Sequence, residues 1–349
     1  MPADSAQQVI RDGIRGRVFP AAVAEAGDSA GPRWSAAEGA LTFEPGSAPA
    51  LIDTSFDLAS LTKVIATTTI VMQLVADQAL RLDEPLTACF TEWRGADREA
   101  VTVRDLLEHA SGLPARFVDA PPHGRREFEH EICTMPLEYI PRTQSVYSDL
   151  GFILLAFIAE DRGGASLGAQ LNAITIGLPP TITFEVARDA RRHAAPTLPM
   201  DDDLRRGRML IGEVHDNYAA ALGGVAGHAG LFGSATAVGA FGRVVLGAAR
   251  GDARVMPFRP AAVAEFTTRS AVPGSSRALG WDTMLPTSSC GTRMSASAFG
   301  HVGFTGTSLW IDPARDRYFV LLTNRACGGG TLDQMRDVRR AFHDALAEL

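Results

Sequence analysis

Apolar residues recur at three- and four-residue steps from Leu61 to Leu80, within the segment FDLASLTKVIATTTIVMQLVADQAL that begins at Phe56. This spacing is typical of one face of a helix, and no Gly or Pro interrupts it. The pattern therefore predicts a long, largely buried amphipathic helix with Ser60 at its N-terminal end. Because residues three apart share a helix face, we expect the Lys63 amine beside the Ser60 hydroxyl.

The two ends of the chain alternate between polar and apolar residues as strands do, whereas the middle has helical spacing. Thr102 is expected to cap a helix over VTVRDLLEHA, and the apolar run LGFILLAFIAEDRG after Tyr147 predicts a buried helix. Further helices are predicted over residues 1–16, 235–249 and 331–348. Strands are predicted over VFPAAVAEAG, ALTF, ALGWDTM, the residues around His301, TSLWIDP and YFVLLTN.

Strands at both ends with helices between them predict an α+β fold of two lobes. Residues 1–80 and 221–349 would form one antiparallel sheet flanked by the N- and C-terminal helices, and this lobe would carry the Ser60 helix and the His301 strand. Residues 81–220 would form a mainly helical lobe that carries Tyr147. The active site is expected where the lobes meet.

Two proline-containing loops interrupt the helical region, at residues 114–124 and 179–203. Long loops on a rigid scaffold commonly carry binding residues, so we expect them to wall a substrate cleft. The segment at 212–235 contains His215, Asp216 and His228 around a glycine-rich turn. Two histidines 13 residues apart lack the helical spacing of metal ligands, so local hydrogen bonding is favoured over a metal site. Asp216 and Asn217 are expected to border the pocket.

Composition limits the classes of protein that the chain can be. Its 349 residues, 46% hydrophobic and 21% charged, can bury a large core, and the net charge of -7 argues against a nucleic-acid surface. The first 16 residues lack the apolar core of a signal peptide, and no apolar run reaches the roughly 20 residues of a membrane span. We expect a soluble, cytoplasmic protein with neither nucleic-acid nor membrane partners. The sequence leaves the oligomeric state open.

The four cysteines are scattered without a metal-type spacing, which favours free thiols. They are Cys89, Cys133, Cys290 and Cys327. No metal and no organic cofactor is expected.

Three short motifs carry a family resemblance: Ser60-Leu61-Thr62-Lys63, Tyr147-Ser148-Asp149 and His301-Val302-Gly303. Their order and approximate spacing are similar to those of serine β-lactamases and penicillin-binding proteins. The flanking segments VTVRDLLEHASGLP, YSDLGFILLAFIAE and FGHVGFTGTSLWIDP resemble the class C branch, with its family VIII carboxylesterase and D-aminopeptidase or DD-peptidase relatives. The resemblance extends from about residue 16 to the C-terminal helix and implies a β-lactamase/transpeptidase-like fold.

The resemblance implies a role for each motif. Ser60 would be the nucleophile, and the backbone N–H groups of Ser60 and Phe304 would form the oxyanion hole. A hydroxyl needs a base, which Lys63 or the Tyr147 phenol can supply, and the sequence leaves open which is primary. Gly303 would let its strand approach closely without a Cβ.

Two positions depart from the family pattern. Asp149 stands where Asn is more usual, and a carboxylate only accepts hydrogen bonds, so it could pair with Lys63 and raise the Lys63 pKa. His301 replaces a Lys that supplies a fixed cation, and His is mostly neutral at pH 7. Asp149, His301 and Gly303 are the expected substrate-binding residues. Both departures point away from penicillin-like carboxylates.

We therefore expect a serine hydrolase that forms an acyl-enzyme on Ser60. Its substrates would be small-molecule esters, amides or β-lactam-like compounds, and a carboxylesterase or amide hydrolase with weak or no β-lactamase activity is favoured. One alternative is a true class C-like β-lactamase, DD-peptidase or D-aminopeptidase. A second, of another class, is a non-catalytic ligand-binding or sensor protein. His109 and Ser111 are expected to brace the helical lobe.

Overall fold

The computed structural model describes residues 2–118, 120–177, 182–186, 189–201, 203–254 and 257–349, so part of the predicted 179–203 loop lies outside it. The described strands are β1 (Ala21–Asp28), β2 (Gly31–Gly39), β3 (Phe56–Asp57), β4 (Phe232–Gly233), β5 (Asp282–Thr283), β6 (Phe299–Val302), β7 (Ser308–Asp312) and β8 (Arg317–Thr323). Six of them form an antiparallel sheet in the order β2-β1-β8-β7-β6-β5, and β3 pairs with β4.

The described helices are α1 (Pro2–Arg15), α2 (Thr69–Ala76), α3 (Val103–Leu107), α4 (Gly124–Thr134), α5 (Asp149–Gly163), α6 (Leu167–Thr175), α7 (Asn217–Ala221), α8 (Ala235–Ala249), α9 (Pro260–Thr267) and α10 (Leu332–Leu346). A π-helical segment, Lys63–Thr68, leads into α2, and short 3-10 turns lie at Leu86–Ala88 and Arg191–His193. The predicted mixture of an antiparallel sheet and helices is confirmed.

The first and last strands of the sequence meet in the middle of the main sheet, because β1 pairs with both β2 and β8. Side chains alternate across a strand, and β1 follows this rule. Ala22 and Ala24 pack with the terminal helices α1 and α10, whereas Ala21 and Val23 belong to the larger core on the opposite face, which α8 covers. The sheet is therefore buried on both faces.

Helix ends follow local capping chemistry. Thr102 caps α3 in a capping box with Asp105, as its position in the sequence predicts. The buried helix predicted after Tyr147 is α5, where the Ser148 hydroxyl accepts from the Gly151 N–H and Gly164 ends the helix at φ 65°. Because α5 is capped at Ser148, Tyr147 lies just outside it and is free to face the site.

Several predicted elements are wrong in their bounds, and the strand predicted over ALGWDTM is only β5, Asp282–Thr283. The helix predicted to Leu80 ends at Ala76, because Gln78 takes a positive φ of 60° that no helix accommodates. The predicted strand ALTF is not a strand: β1 turns tightly at Ser29 and Ala30, so the returning strand β2 is already complete at Gly39. Leu41, an apolar residue of this segment, packs against the core without belonging to a strand.

One continuous apolar core includes side chains from the Ser60 helix, α5 and α8. It crosses the proposed boundaries at residues 81 and 221, so the division into two lobes stays a prediction. All four cysteines are free thiols, as expected. Among the described residues, no helix is both long enough and apolar enough to cross a membrane.

Candidate active site

Ser60 stands at the end of a strained turn that opens its helix. The preceding residue, Ala59, takes φ 47°, which is uncommon outside glycine, and its N–H donates to Asp57 Oδ1 at 2.8 Å. Lys63 Nζ lies 3.1 Å from Ser60 Oγ, and the Lys63 side chain is completely buried. The π-helical segment begins at Lys63, and such segments are frequent at functional sites. The predicted Ser-Lys neighbourhood is therefore present.

The Tyr147 ring joins this pair from the other side of the site. Its centroid lies 4.7 Å from Lys63 Nζ. The His109 ring packs 4.7 Å from the Tyr147 centroid, and His109 Nδ1 accepts from the Ser148 N–H at 3.0 Å. His109 thus braces the tyrosine segment rather than facing the pocket, in line with the sequence-based expectation.

Lys63 is held as an ammonium ion. Its Nζ donates to Asp149 Oδ1 at 2.7 Å and to the His228 carbonyl at 3.3 Å. Burial alone would lower the Lys63 pKa, but the charges of Asp149 and Tyr147 and their hydrogen bonds outweigh it, so the pKa is raised. An ammonium ion cannot accept the Ser60 proton directly. The arrangement therefore favours the Tyr147 oxygen, in its phenolate form, as the group that takes it.

Arg116 is one of the residues at this site that sequence reasoning missed. Its guanidinium donates to Asp149 Oδ2 at 2.8 Å, to Asp216 Oδ2 at 2.9 Å and to Asn217 Oδ1 at 2.8 Å. It also lies 4.0 Å from the Tyr218 ring centroid. These partners are 33 to 102 positions away, so no local spacing could have revealed them. Arg116 neutralises the carboxylate that stands in the place of the usual Asn.

Asp149, Asp216 and His228 bring three potential metal-ligand atoms within 4.8 Å of one another. Their lone pairs already have partners: His228 Nε2 and Asp216 Oδ1 lie 2.8 Å apart, and Arg116 bridges the two carboxylates. Burial opposes the charge on Asp216, yet the neighbouring His228 and Arg116 hold its pKa well below the usual range. The cluster is an ion-pair network. A metal site at residues 212–235 would have used His215 together with His228, but His215 is not part of this network.

His301 is neutral, but the site still contains a fixed cation near it. Burial, together with the charges of Arg277 and Lys63, holds the His301 pKa well below its usual value. The Arg277 guanidinium carbon lies 5.0 Å from the Tyr147 ring centroid, and no carboxylate in the described ranges forms an ion pair with it. The expectation that the site lacks a fixed cation, drawn from His301 alone, therefore missed Arg277.

The Gly303 strand end packs directly on the turn before Ser60. A Cβ at Gly303 would lie 2.6 Å from the Leu58 carbonyl oxygen, which only glycine avoids, and Thr307 Oγ1 donates to that same oxygen at 3.0 Å. The backbone N–H groups of Ser60 and Phe304 have no hydrogen-bond partner among the described residues. Both residues line the same cavity, so their unpaired N–H groups meet one requirement of an oxyanion hole.

A cavity of about 260 Å³ opens over Ser60. The Phe304 ring is 44% exposed at its mouth and stacks on His215, with ring centroids 5.4 Å apart. Both predicted loops contribute to the wall through Arg116 and Met200. The lining residues are Ala59, Ser60, Ala115, Arg116, Tyr147, Asp149, Met200, His215, Asp216, His228, Ala229 and Phe304.

A family model described as Beta-lactamase matches residues 7–343. The chain belongs to the β-lactamase family. It is similar to a putative D-alanyl-D-alanine carboxypeptidase of Escherichia coli (strain K12), with 29% identity over an alignment of 305 residues that covers 78% of this chain and 69% of the relative. It is also similar to an N-acetylmuramyl-L-alanine amidase of Bacillus subtilis (strain 168), 30% identical over 78% of this chain and 68% of the relative.

Solved structures resemble the whole β-lactamase-family chain. EstCE1, a hydrolase with promiscuous acyltransferase activity, aligns at TM-score 0.78 and 18% identity over 99% of this chain and 98% of its own. A class C β-lactamase from Rhodobacter sphaeroides aligns at TM-score 0.76 and 18% identity, over 99% of each chain. At such identity these likenesses show the fold alone. The predicted fold and family are confirmed, and the protein is a serine hydrolase of this family.

Proposed function

We propose that this β-lactamase-family protein hydrolyses small acyl substrates through an acyl-enzyme on Ser60, as a carboxylesterase or amide hydrolase with weak or no β-lactamase activity. The observation that carries the proposal is the 3.1 Å contact between Lys63 Nζ and Ser60 Oγ, beside the Tyr147 ring and beneath the cavity. A hydroxyl, an ammonium and a phenolate in this relation can pass a proton during acyl transfer.

In acylation, Ser60 Oγ attacks the substrate carbonyl carbon and its proton moves to the Tyr147 oxygen. The Lys63 ammonium stabilises the phenolate that accepts this proton. The carbonyl oxygen becomes an oxyanion, and the N–H groups of Ser60 and Phe304 donate to it. The phenol then returns the proton to the leaving alcohol or amine, and the carbonyl re-forms as the ester of Ser60.

In deacylation, a water molecule takes the place of the leaving group. Its proton moves to the Tyr147 oxygen as its oxygen attacks the acyl carbon, and the same two N–H groups donate to the second oxyanion. The Ser60–acyl bond then breaks, and the proton returns to Ser60 Oγ. The products are a carboxylic acid and the free enzyme.

The size of the cavity supports small acyl groups. Its volume of about 260 Å³ lies below the roughly 300–1,000 Å³ of typical ligand pockets. The ion pair between Arg116 and Asp149 forms one wall. Because these two side chains bind each other, they are not available to bind an amide group on the acyl part of a substrate. A short aliphatic or simple acyl chain fits this wall better than a penicillin side chain.

Cleavage of a D-amino-acid peptide that ends in a carboxylate is a second candidate. Arg277 is the observation that favours it, because its guanidinium lies beside Tyr147 and pairs with no acid in the described part of the chain. A free guanidinium suits a carboxylate on the leaving group. The relatives named as a putative D-alanyl-D-alanine carboxypeptidase and as an amidase point the same way.

The test is a turnover panel of p-nitrophenyl butyrate, nitrocefin and a D-Ala-D-Ala peptide, measured with the parent, Ser60→Ala and the surface control Ser29→Ala. The proposal expects fast ester turnover and slow nitrocefin turnover by the parent. Ser60→Ala should lose all turnover, whereas Ser29→Ala should turn over the substrates as fast as the parent. Faster nitrocefin turnover would overturn the substrate preference. Turnover of none of the three by the parent would favour a non-catalytic sensor instead.

A further inference from the structure

Arg339, on the C-terminal helix α10, is a buried cation without an acid. The residue is about 5% exposed, and no carboxylate of the described residues lies within ion-pair distance. Burial and the nearby Arg325 guanidinium lower the Arg339 pKa. Burying an unpaired charge is costly, and an apolar side chain of similar volume would often be more stable. Packing alone gives no reason for an arginine here.

The contacts of Arg339 point to the oxyanion hole. Its Nη2 donates to the Gly303 carbonyl oxygen at 2.6 Å and to the Thr307 carbonyl oxygen at 2.9 Å. The Gly303 carbonyl and the Phe304 N–H belong to the same peptide group. In a planar trans peptide these two groups point in opposite directions. Because Arg339 holds the carbonyl oxygen, the Phe304 N–H on the opposite side of the peptide is turned away from Arg339.

A second arginine holds the next peptide of the same turn. Arg325 donates to the Phe304 carbonyl oxygen through Nη2 at 2.7 Å and through Nε at 3.1 Å. From the other side, Thr305 Oγ1 donates to the Asp57 carbonyl at 2.8 Å and so ties the turn to the Ser60 loop. The Gly303 to Thr307 turn is thus fixed at both of its faces.

We infer that Arg339 is a positioning residue that orients and polarises the Gly303–Phe304 peptide, so that its N–H is a stronger donor to the oxyanion formed at Ser60. The inference rests on the proposed acyl transfer at Ser60. A charge-assisted bond is roughly twice as strong as a neutral one, and hydrogen bonds in a chain polarise one another. A positive charge behind the peptide also stabilises the developing negative charge in front of it.

The test compares Arg339→Met and Arg339→Lys with Arg336→Met, an exposed arginine on the same helix that pairs with Asp333. Loss of one oxyanion donor costs about 100- to 1,000-fold in kcat. Because the N–H remains, we expect Arg339→Met to lower kcat for p-nitrophenyl butyrate by about 10- to 100-fold with KM within about threefold. Arg339→Lys should recover part of the loss, and Arg336→Met should change nothing.

A spectroscopic measurement separates positioning from general damage. The infrared carbonyl band of a ¹³C-labelled acyl-enzyme reports the hydrogen bonds that its oxygen receives. Arg339→Met should move this band to higher frequency, with Arg339→Lys between it and the parent. If Arg339→Met does not fold, Arg339→Lys is compared with the parent by itself. Its kcat loss and its shift of the carbonyl band should then be smaller than those expected for Arg339→Met.

Unchanged kcat and an unchanged carbonyl band in the folded variants would overturn the inference while leaving the proposed function intact. If Ser60→Ala still turns over the ester, the proposed function fails, whatever the Arg339 variants show.

Discussion

The ammonium of Lys63 donates to Asp149 Oδ1 at 2.7 Å in the interior of the protein. Asp149 occupies the place where Asn is more usual in the second motif, so a carboxylate stands beside Lys63 in place of a neutral amide. The charge of Asp149 raises the pKa of Lys63 and so keeps the proton on its amine. The pH dependence of the reaction should therefore depend on this one carboxylate.

Asp149→Asn should shift the falling limb of kcat/KM to lower pH. Burial opposes the charge on Lys63, and Asp149 is the largest of the effects that raise its pKa. Without that carboxylate, Lys63 releases its proton at lower pH, so the ammonium that stabilises the Tyr147 phenolate is lost earlier as the pH rises. A pH series of p-nitrophenyl butyrate hydrolysis from pH 6 to 11 measures the shift. A shift to higher pH would contradict the assignment of Lys63 as the charged partner.

Arg116→Met should lower the free energy of unfolding by about 1–3 kcal/mol at pH 7, since it leaves two carboxylates without their shared cation. The figure is below that of a fully buried pair, because the Arg116 side chain is 34% exposed and water screens part of the effect. The folded-state pKa values of Asp149 and Asp216 lie below their unfolded values. Their contribution is therefore complete above the unfolded pKa of about 4 and is lost as the pH falls through the folded values.

Urea unfolding at pH 7 and at pH 3 measures this difference. Arg125→Met is the matched control, because Arg125 is 38% exposed and contacts Glu160 and Asp161 at the surface. The control should lose less than about 1 kcal/mol at either pH. An Arg116→Met loss no larger than that of the control would show that the network contributes little to stability.

Much of the site could be predicted because its chemistry is local in sequence. Ser60 and Lys63 lie one helical turn apart, and Tyr147 directly precedes a helix whose apolar pattern is unmistakable. The possible pairing of Asp149 with Lys63 followed from comparing its carboxylate with the Asn that the family resemblance places there.

The arginines could not be predicted, because each acts across long sequence separations. Arg277 and Arg339 belong to segments without any catalytic signature, and they reach the site only through the sheet and the C-terminal helix. The predicted ends of helices and strands were wrong for a different reason. The positive φ of Gln78 ends the helix although the apolar spacing continues to Leu80. The spacing of apolar residues does not reveal such a backbone angle.

Arg277→Gln should distinguish substrates by charge. If the free guanidinium binds a leaving-group carboxylate, kcat/KM for a D-Ala-D-Ala peptide should fall by about 10-fold or more, which corresponds to about 1.4 kcal/mol. The neutral ester p-nitrophenyl butyrate serves as the internal control and should change by less than about twofold. Equal losses on both substrates would mean that Arg277 supports the Tyr147 ring rather than recognising a carboxylate.

Gly303→Ala should damage both stability and activity. The added Cβ would lie 2.2 Å from Thr307 Oγ1 and 2.6 Å from the Leu58 carbonyl, so the strand end must move away from the Ser60 turn. Overpacking of this kind typically costs about 1–3 kcal/mol. Thermal unfolding and ester turnover measure both effects. Gly168→Ala, in a helix where the added Cβ makes only ordinary contact, is the control and should stabilise slightly.

The covalent step at Ser60 is tested most directly by intact-mass measurement after reaction with a fluorophosphonate probe, followed by peptide mapping. The account predicts one adduct per chain, located on Ser60, absent from Ser60→Ala and formed much more slowly in Tyr147→Phe. An adduct that persists in Ser60→Ala, or that maps to another residue, would contradict the account.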